Sequence, residues 1–246
     1  MILALLSDIH ANLEALRACM AHAQSRGAGR YAFLGDLVGY GADPGAVLDI
    51  MADHQERGAI VLKGNHDEAV DAASAWLNAS ATAAIDWTRG VLTAGQRAFI
   101  ASLPLCVREE KACFVHASAA APAHWDYVDS APEAERSARA AERPYTFSGH
   151  VHDQVLYAAG PMNRMVAFRP QPGVAIPLGV HRRWLALVGS VGQPRDGNPA
   201  AAYAMFDADA KSLTFHRVPY DNVAAARKVR AAGLPEALAY RLERGI

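Results

Sequence analysis

The first third of the chain alternates between short apolar runs and segments with apolar residues at helical spacing. MILALLS, RYAFLGDL and AIVLKGNHD are apolar runs bounded by polar or glycine residues, which predicts three buried strands. Between the first two strands, ANLEALRACMAHAQSRG predicts a helix with Asn12 as its N-cap and Gly27 after its end. The next helix covers DPGAVLDIMADHQERG, with Asp43 as its N-cap and Pro44 at its first position. This alternation predicts parallel β-α-β units.

The middle of the chain changes pattern twice. Residues 67–101 are rich in alanine and predict two or three helices. LPLCVREEKACFVHAS predicts two strands around a charged turn, and PYTFSGH predicts a further strand. Between them, APEAERSARAAERP predicts an exposed helix that ends at Pro144.

The last third is mostly β until its helical end. After residue 153, QVLYAA, MVAFR, WLALVGS, AAYAMFDAD and SLTFHRVPY are short strands separated by Gly, Pro and Asp turns. The tail, about residues 221–246, predicts two amphipathic helices divided at Gly233–Pro235. Because no linker separates the halves, we predict a single domain over residues 1–246, in which each half supplies one sheet.

Composition narrows the class of protein. The chain has 24 Lys plus Arg against 25 Asp plus Glu, so it lacks the basic footprint of a protein that binds nucleic-acid polymers. It contains no run of 18 apolar residues and no basic segment before its first apolar run, so neither a membrane span nor a signal peptide is expected. Three cysteines make no disulfide framework and are expected to be small core residues. A cytoplasmic location is the default expectation.

Polar side chains with metal-ligand chemistry end most of the apolar runs. A single loop histidine is ordinarily a hydrogen-bonded or solvated residue. Here five of the ten histidines lie at strand ends together with two Asp and an Asn, at the sheet edge where α/β proteins bind ligands. Imidazole, carboxylate and amide oxygen without cysteine suit Mn, Fe, Co, Ni or Zn. The residues are Asp8, His10, Asp36, Asn65, His66, His116, His150 and His152.

Five sequence motifs carry a resemblance to a known family. SDIHANLEAL, GDLVGYG, GNHDE, VHAS and GHVHDQ occur between residues 7 and 153 in the order found in the calcineurin-like metallophosphoesterases. GSVGQPRDGNPAAAYAMFD resembles the tail of a bacterial subgroup in which dinucleoside-polyphosphate hydrolysis is known. The resemblance implies an α/β fold, a four-layer α/β/β/α sandwich, with a dinuclear metal site at one edge.

The resemblance also implies a role for each strand-end residue. His66 matches the family's histidine beside the leaving group, which does not bind metal, and Asp67 either supports the loop or caps the next helix. Two divalent transition-metal ions are implied, with Mn favoured over Fe, Zn, Ni or Co. Asp8, His10 and His152 resemble the ligands of one ion, Asn65, His116 and His150 those of the other, and Asp36 the bridging carboxylate.

The chain departs from the family pattern after the second motif. Many relatives carry an Asp that supports the motif histidine and an Arg that holds phosphate, but here Gly39 and Tyr40 occupy those positions. His66, the candidate catalytic residue, therefore lacks its usual carboxylate partner, which leaves two roles open: a proton donor or a neutral hydrogen-bond donor.

Three residues are candidates for substrate binding, each with a structural alternative. Arg195 can clamp a phosphate or hold its own loop. Asn12 can present a helix N-terminus to phosphate or serve only as a cap. Tyr40, with Trp125, can contact a leaving group or base, or simply pack.

These residues favour a metal-dependent phosphohydrolase that cleaves a small phosphodiester or a nucleotide phosphoanhydride with a metal-activated water. A phosphomonoesterase or protein phosphatase is the first alternative, which the missing Asp and Arg disfavour. A binding scaffold without chemistry is the second, which the presence of all seven ligand positions disfavours.

Overall fold

The computed structural model describes residues 1–72 and 77–246, and its strands form two six-stranded sheets. The strands of the first sheet are β1 (Ile2–Leu6), β2 (Ala28–Phe33), β3 (Ile60–Val61), β9 (Ala175–Pro177), β11 (Ala201–Asp207) and β12 (Ser212–Val218). Their order is β3-β2-β1-β11-β12-β9. β1, β2 and β3 are parallel, as the β-α-β pattern predicts, whereas β1 pairs antiparallel with β11.

The second sheet lies against the first. Its strands are β4 (Cys106–Arg108), β5 (Ala112–Val115), β6 (Tyr145–Ser148), β7 (Gln154–Ala159), β8 (Met165–Phe168) and β10 (Trp184–Val188). Their order is β4-β5-β6-β10-β7-β8, with β5, β6 and β10 parallel to one another. The loops after β5 and β6 therefore leave the sheet at the same edge.

Eight helices lie within the described residues. They are α1 (Leu13–Ser25), α2 (Pro44–Glu56), α3 (Asn65–Glu68), α4 (Ala79–Val91), α5 (Ala94–Ser102), α6 (Ala131–Ala141), α7 (Asn222–Ala231) and α8 (Glu236–Arg244). The helices predicted within residues 67–101 and in the tail are confirmed, although residues 73–76 lie outside the described part. No helix among the described residues has both the length and the apolar character needed to cross a membrane.

The core explains why the strand runs are apolar on both faces. Leu3 and Leu5 of β1 point between the two sheets and pack with phenylalanines such as Phe147 of the second sheet. Ala4 and Leu6 alternate to the opposite face, under α1 and α2. On the far side of the second sheet, α6 covers β7 and β10. The order of layers is thus α/β/β/α, as the resemblance implies.

The predicted division of the sheets between the halves is wrong. The halves do not supply one sheet each, because β1–β3 pair with β11, β12 and β9, while β4–β6 pair with β10, β7 and β8. Asp43 is the N-cap residue of α2 and Pro44 follows it, as predicted, but the Asp43 side chain makes no capping hydrogen bond. Its Oδ2 instead accepts a hydrogen bond from Lys228 Nζ of α7 at 2.8 Å, so this carboxylate ties α2 to the tail.

The cysteines are free, as predicted. Cys19 and Cys113 are buried, and Cys106 is half-buried on the neighbouring strand of the second sheet.

Candidate metal centre

The strand ends of both sheets bring the sequence-predicted ligands together. They follow β1, β2 and β3 in the first sheet and β5 and β6 in the second, at the edge where these parallel strands end. The Asp and His side chains of this set are almost fully buried, and only Asn65 is half-buried. Residues up to 144 positions apart in the sequence thus share one site, as the strand-end pattern predicts.

The first group of donors consists of Asp8, His10 and His152. His152 Nε2 lies 3.2 Å from Asp8 Oδ1 and 3.1 Å from His10 Nε2. His10 Nε2 also lies 3.8 Å from Asp36 Oδ2. One ligand atom from each of the three residues falls within 4.8 Å of the others, which is close enough for a single ion.

The second group gathers around His116. Its Nε2 lies 3.4 Å from Asp36 Oδ2 and 3.2 Å from both Asn65 Oδ1 and His150 Nδ1. Asp36 Oδ2 therefore faces both groups of donors. A carboxylate oxygen in this position suits a bridge between two ions.

The tautomers of the histidine rings determine which ring nitrogens in the two donor groups can bind a cation. The Nδ1 atoms of His10, His116 and His152 lie 3.3, 2.8 and 2.6 Å from the carbonyl oxygens of Val38, Leu34 and Gln193, respectively. A ring whose Nδ1 donates its proton to a carbonyl carries a lone pair on Nε2 when neutral. The Nε2 lone pairs of His10 and His152 then oppose each other, which is repulsive unless a cation lies between them. Ligand histidines in metal sites are oriented in this way.

In Asp8 and in Asp36, one carboxylate oxygen accepts a backbone hydrogen bond and the other faces the histidine donors. Asp8 Oδ2 accepts a hydrogen bond from the His150 backbone N–H at 3.0 Å, and Asp36 Oδ1 accepts one from His66 N–H at 2.8 Å. Asp8 Oδ1 is buried without a hydrogen-bond partner among the described residues. A buried carboxylate oxygen costs free energy unless a positive charge faces it. The donor set therefore fits a divalent metal.

The charge states also suit metal ligands. Burial opposes ionisation of Asp8 and Asp36, but the facing histidines outweigh it and lower the pKa of both carboxyl groups. Burial lowers the pKa of His150 to about 3, so this ring is neutral. At His116 burial also acts downward, but Asp36 prevails and raises the pKa to about 9. Ligands must be deprotonated to bind metal, so a metal would displace the His116 proton.

The backbone at the site is strained. Left-handed φ angles at non-glycine residues each cost about 1–3 kcal/mol and cluster at functional sites. Five of the seven predicted ligands have φ between 49° and 69°, namely Asp8, His10, Asp36, His150 and His152. Close packing makes a further demand on the backbone at Gly64, where a Cβ would lie 2.2 Å from the Asp36 backbone N and Oδ1.

His66 lies beside the donors but lacks a carboxylate partner. Its buried Nδ1 has no hydrogen-bond partner among residues 1–72 and 77–246. A Cβ on Gly39 would approach this nitrogen to 2.5 Å, so the ring occupies space that a side chain at position 39 would need. Burial lowers the pKa of His66, so the imidazole is neutral at pH 7. His10, Asp36 and His66 each offer one ligand atom within 4.8 Å of the others, so these three residues could also hold an ion.

Asp67 holds the loop that carries these residues. Its carboxylate accepts backbone hydrogen bonds from Leu37, Val38 and Gly64 at 2.9, 3.1 and 2.8 Å. Burial, with repulsion from Asp36, raises the pKa of Asp67 to about 7. The cap of the next long helix, α4, is Asn78, so the loop-supporting role is the one that the geometry favours.

A cavity of about 930 Å³ opens beside the donors. Two of the three predicted substrate residues, Tyr40 and Arg195, line it together with His66. Asn12 does not reach it. Its Nδ2 donates to the Gly192 carbonyl at 2.9 Å and to a tyrosine hydroxyl at 3.1 Å, and its Oδ1 caps α1. The cap interpretation of Asn12 is therefore the one that the geometry supports.

The cavity lining also includes residues outside the sequence motifs, of which only Trp125 is named above as a candidate. Trp125 Nε1 donates to Glu68 Oε2 at 2.6 Å, which fixes the indole beside the cavity. The Tyr127 ring stacks on His150 with centroids 4.1 Å apart. Arg241 of α8 also lines the cavity. Local pattern gives no signal for Arg241, because it lies far beyond the last motif in the sequence.

Comparison with known proteins gives the same family. The model of the calcineurin-like phosphoesterase superfamily domain matches residues 1–211. An uncharacterised protein of Methanocaldococcus jannaschii is 33% identical over 251 residues, covering 98% of this chain and 96% of the relative.

Solved structures agree with the sequence comparison. The crystal structure of a metallophosphoesterase from Sphaerobacter thermophilus has a TM-score of 0.89 and 34% identity, with 100% of each chain covered. A hypothetical protein from Pyrococcus horikoshii shares the fold, with a TM-score of 0.80 and 19% identity over 100% of this chain and 98% of the other. With its fold, its strand-end donors and this family match over most of its length, the chain belongs to the calcineurin-like phosphoesterase superfamily.

Proposed function

We propose that this protein is a dinuclear metallohydrolase that cleaves a phosphodiester or a nucleotide phosphoanhydride bond. The observation that carries the proposal is that two groups of lone-pair donors lie next to each other and both face Asp36 Oδ2. Two divalent transition-metal ions, Mn first among Mn, Fe, Zn, Ni and Co, match the mixed imidazole and oxygen donors. When bound, such ions would activate a water molecule and neutralise charge on the phosphoryl oxygens.

The protein side chains would divide the remaining work. Asp36 would help to hold both ions, because its Oδ2 faces both donor groups while its Oδ1 accepts a hydrogen bond from the His66 backbone N–H. The first ion would be completed by Asp8, His10 and His152, and the second by Asn65, His116 and His150. The carbonyl groups that accept from the histidine Nδ1 atoms would keep the rings oriented.

His66 would act on the substrate rather than on the metals. It lines the cavity beside both donor groups and is neutral at pH 7. A neutral imidazole can donate a hydrogen bond to the leaving-group oxygen, where charge develops in the transition state. Without a carboxylate partner it is a weaker proton donor than a charged imidazolium, so we assign it the role of hydrogen-bond donor.

The phosphate chemistry favours a diester or an anhydride. A phosphomonoester carries a dianionic terminal phosphate, which an Arg fork holds well. Tyr40 stands where many relatives have that Arg, and the Arg195 guanidinium lies over the Tyr40 ring, 5.9 Å from its centroid. A diester or internal anhydride carries one charge per phosphorus and needs less cationic help at the reacting phosphate.

A substrate panel with Mn²⁺ tests the proposal. Purified protein is assayed with p-nitrophenyl phosphate, bis(p-nitrophenyl) phosphate, a cyclic nucleotide and diadenosine tetraphosphate. We expect a higher kcat/KM for a diester or for the dinucleotide than for the monoester. A clear preference for the monoester or for phosphopeptides would assign the protein to the phosphatase class instead. Bound metal without turnover of any substrate would favour the binding scaffold.

A further inference from the structure

Among the residues that the structure describes, Arg195 and Arg241 line the cavity without a carboxylate partner. Arg195 donates to the neutral Gln193 Oε1, at 3.3 and 3.1 Å, and lies over the Tyr40 ring. The Arg241 side chain, on α8, makes no hydrogen bond or ion pair within the part of the chain that the structure describes. Both guanidinium groups are half-buried and line the cavity with Tyr40. Two cations in a partly enclosed wall repel each other, so an anion between them would be stabilising.

The acidic residues of the same cavity do not neutralise this pair. Glu68 accepts a hydrogen bond from Trp125 Nε1 at 2.6 Å, and Asp126 pairs with Arg136 at 3.4 Å. Both acids thus have partners of their own. The two arginines are therefore not neutralised by the acids that line the cavity.

The Tyr40 ring separates Arg195 from the donors. The Tyr40 ring centroid is 4.6 Å from that of His10 and 4.5 Å from that of His66. Arg195 lies over the same ring at 5.9 Å. A phosphate held by the metals and His66 would therefore not reach the Arg195 guanidinium directly. The next anionic group of the same substrate would reach it, in the cavity that Arg241 also lines.

We infer that Arg195 and Arg241 form a second anion subsite, which binds a phosphate next to the reacting one in an oligophosphate chain. The inference rests on the proposed function and narrows it to nucleoside oligophosphates and dinucleoside polyphosphates. Guanidinium groups bind phosphate through paired N–H donors, so two of them match an internal phosphate with its two free oxygens. The C-terminal helix α8 would then be part of the active site.

The test compares an oligophosphate with an aryl diester that lacks the second phosphate. Arg195→Gln and Arg241→Gln are assayed with diadenosine tetraphosphate and with bis(p-nitrophenyl) phosphate. We expect each change to reduce kcat/KM for the dinucleotide about tenfold more than for the aryl diester, since a charge-assisted hydrogen bond is lost only with the former. Arg241→Lys should recover part of the loss. Arg227→Gln is the matched control, because Arg227 is exposed on the adjacent helix α7 and does not line the cavity.

A binding measurement separates this inference from the proposed function. Calorimetry with an analogue of ATP in which methylene groups replace both the α,β- and the β,γ-bridging oxygens, and with AMP, needs no turnover. Arg241→Gln should weaken binding of the analogue and change AMP binding much less. Equal losses with both ligands, or with both substrates in the assay, would overturn the subsite. If the wild-type protein hydrolyses none of the substrates, the proposed function fails, while the calorimetry still decides whether the arginines bind an oligophosphate.

Discussion

His10 and His152 face each other through their Nε2 atoms at a distance of 3.1 Å. The Nδ1 atoms of both rings are directed at backbone carbonyl oxygens, so neither Nε2 can donate a proton without charging its ring. Burial lowers the pKa of His10, which opposes that charging. The pair is therefore unfavourable without a bound cation, and metal binding is expected to contribute to folding.

The first prediction concerns metal and stability. Dialysis against a chelator should lower the thermal midpoint, and Mn²⁺ should restore it, because an ion at 100 times its Kd stabilises by about 2.7 kcal/mol. Asp36→Asn should lose more metal than any other single ligand change, because Asp36 Oδ2 faces both donor groups. Elemental analysis measures the occupancy, which should approach two ions per chain in the wild type.

Asp53→Asn serves as the control for charge alone, because Asp53 is exposed on α2. Full occupancy in Asp36→Ala would contradict the bridging role.

The second prediction separates His66 from the ligands. His66→Gln and His66→Ala should keep the metals and the fold but lose turnover. The loss should be smaller than the roughly 10²–10⁴-fold contribution of a full general acid, because no carboxylate supports the ring. Steady-state kinetics and elemental analysis of the same preparations measure both effects. Loss of metal from His66→Ala would instead make His66 a ligand, through the group that it forms with His10 and Asp36.

The strand-end residues could be predicted from the sequence because their signal is local. A polar residue directly after a buried parallel strand must lie at the sheet edge, whatever the other strands do. The pairing of β1 with β11 was beyond that reasoning, because partners some 200 residues apart leave no periodic trace in either strand. The same limit applies to Arg241, whose position depends on how α8 packs. Asp43 fits the pattern of a cap, yet a tertiary partner, Lys228, engages its side chain.

The third prediction uses two glycines in different surroundings. Gly64→Ala should destabilise the protein and reduce metal binding, because the new Cβ would lie 2.2 Å from the Asp36 backbone N and Oδ1. Gly90→Ala should instead stabilise by about 0.5–1 kcal/mol, since Gly90 is an exposed residue within α4 with open space around it. Urea unfolding of both variants measures the changes. A stable, fully metallated Gly64→Ala would show that the Asp36 loop can shift.

The fourth prediction concerns pH and lies away from the metal centre. His216 of β12 is buried against Tyr203 and His22, and burial lowers its pKa to about 4 from the usual 6.5. Between these pH values the unfolded chain binds a proton that the folded chain excludes. The stability that neutral His216 allows is therefore complete above about pH 6.5 and declines as the pH falls towards 4.

His216→Phe keeps an aromatic ring at this position and removes the titrating group. Its free energy of unfolding should fall less steeply than that of the wild type between pH 6.5 and 4.5, as measured by urea titration at several pH values. His181→Gln controls for a histidine that is exposed in a loop. Parallel curves for the wild type and His216→Phe would show that His216 does not titrate in this range.

The last prediction concerns recognition of a nucleotide base. Tyr127 lines the cavity, stacks on His150 with one face and remains 52% exposed. A base can therefore stack on its open face, and such stacking contributes about 1–3 kcal/mol per base. Tyr127→Ala should raise KM for diadenosine tetraphosphate by about 5- to 150-fold, the range that corresponds to this free energy. The effect on a small alkyl phosphodiester, which has no ring to stack, should be several times smaller.

Tyr127→Phe keeps the ring and should retain most of the affinity, so a loss as large as that of Tyr127→Ala would assign the effect to the hydroxyl rather than to stacking. An equal rise in KM for both substrates in Tyr127→Ala would instead mean that Tyr127 acts by positioning His150.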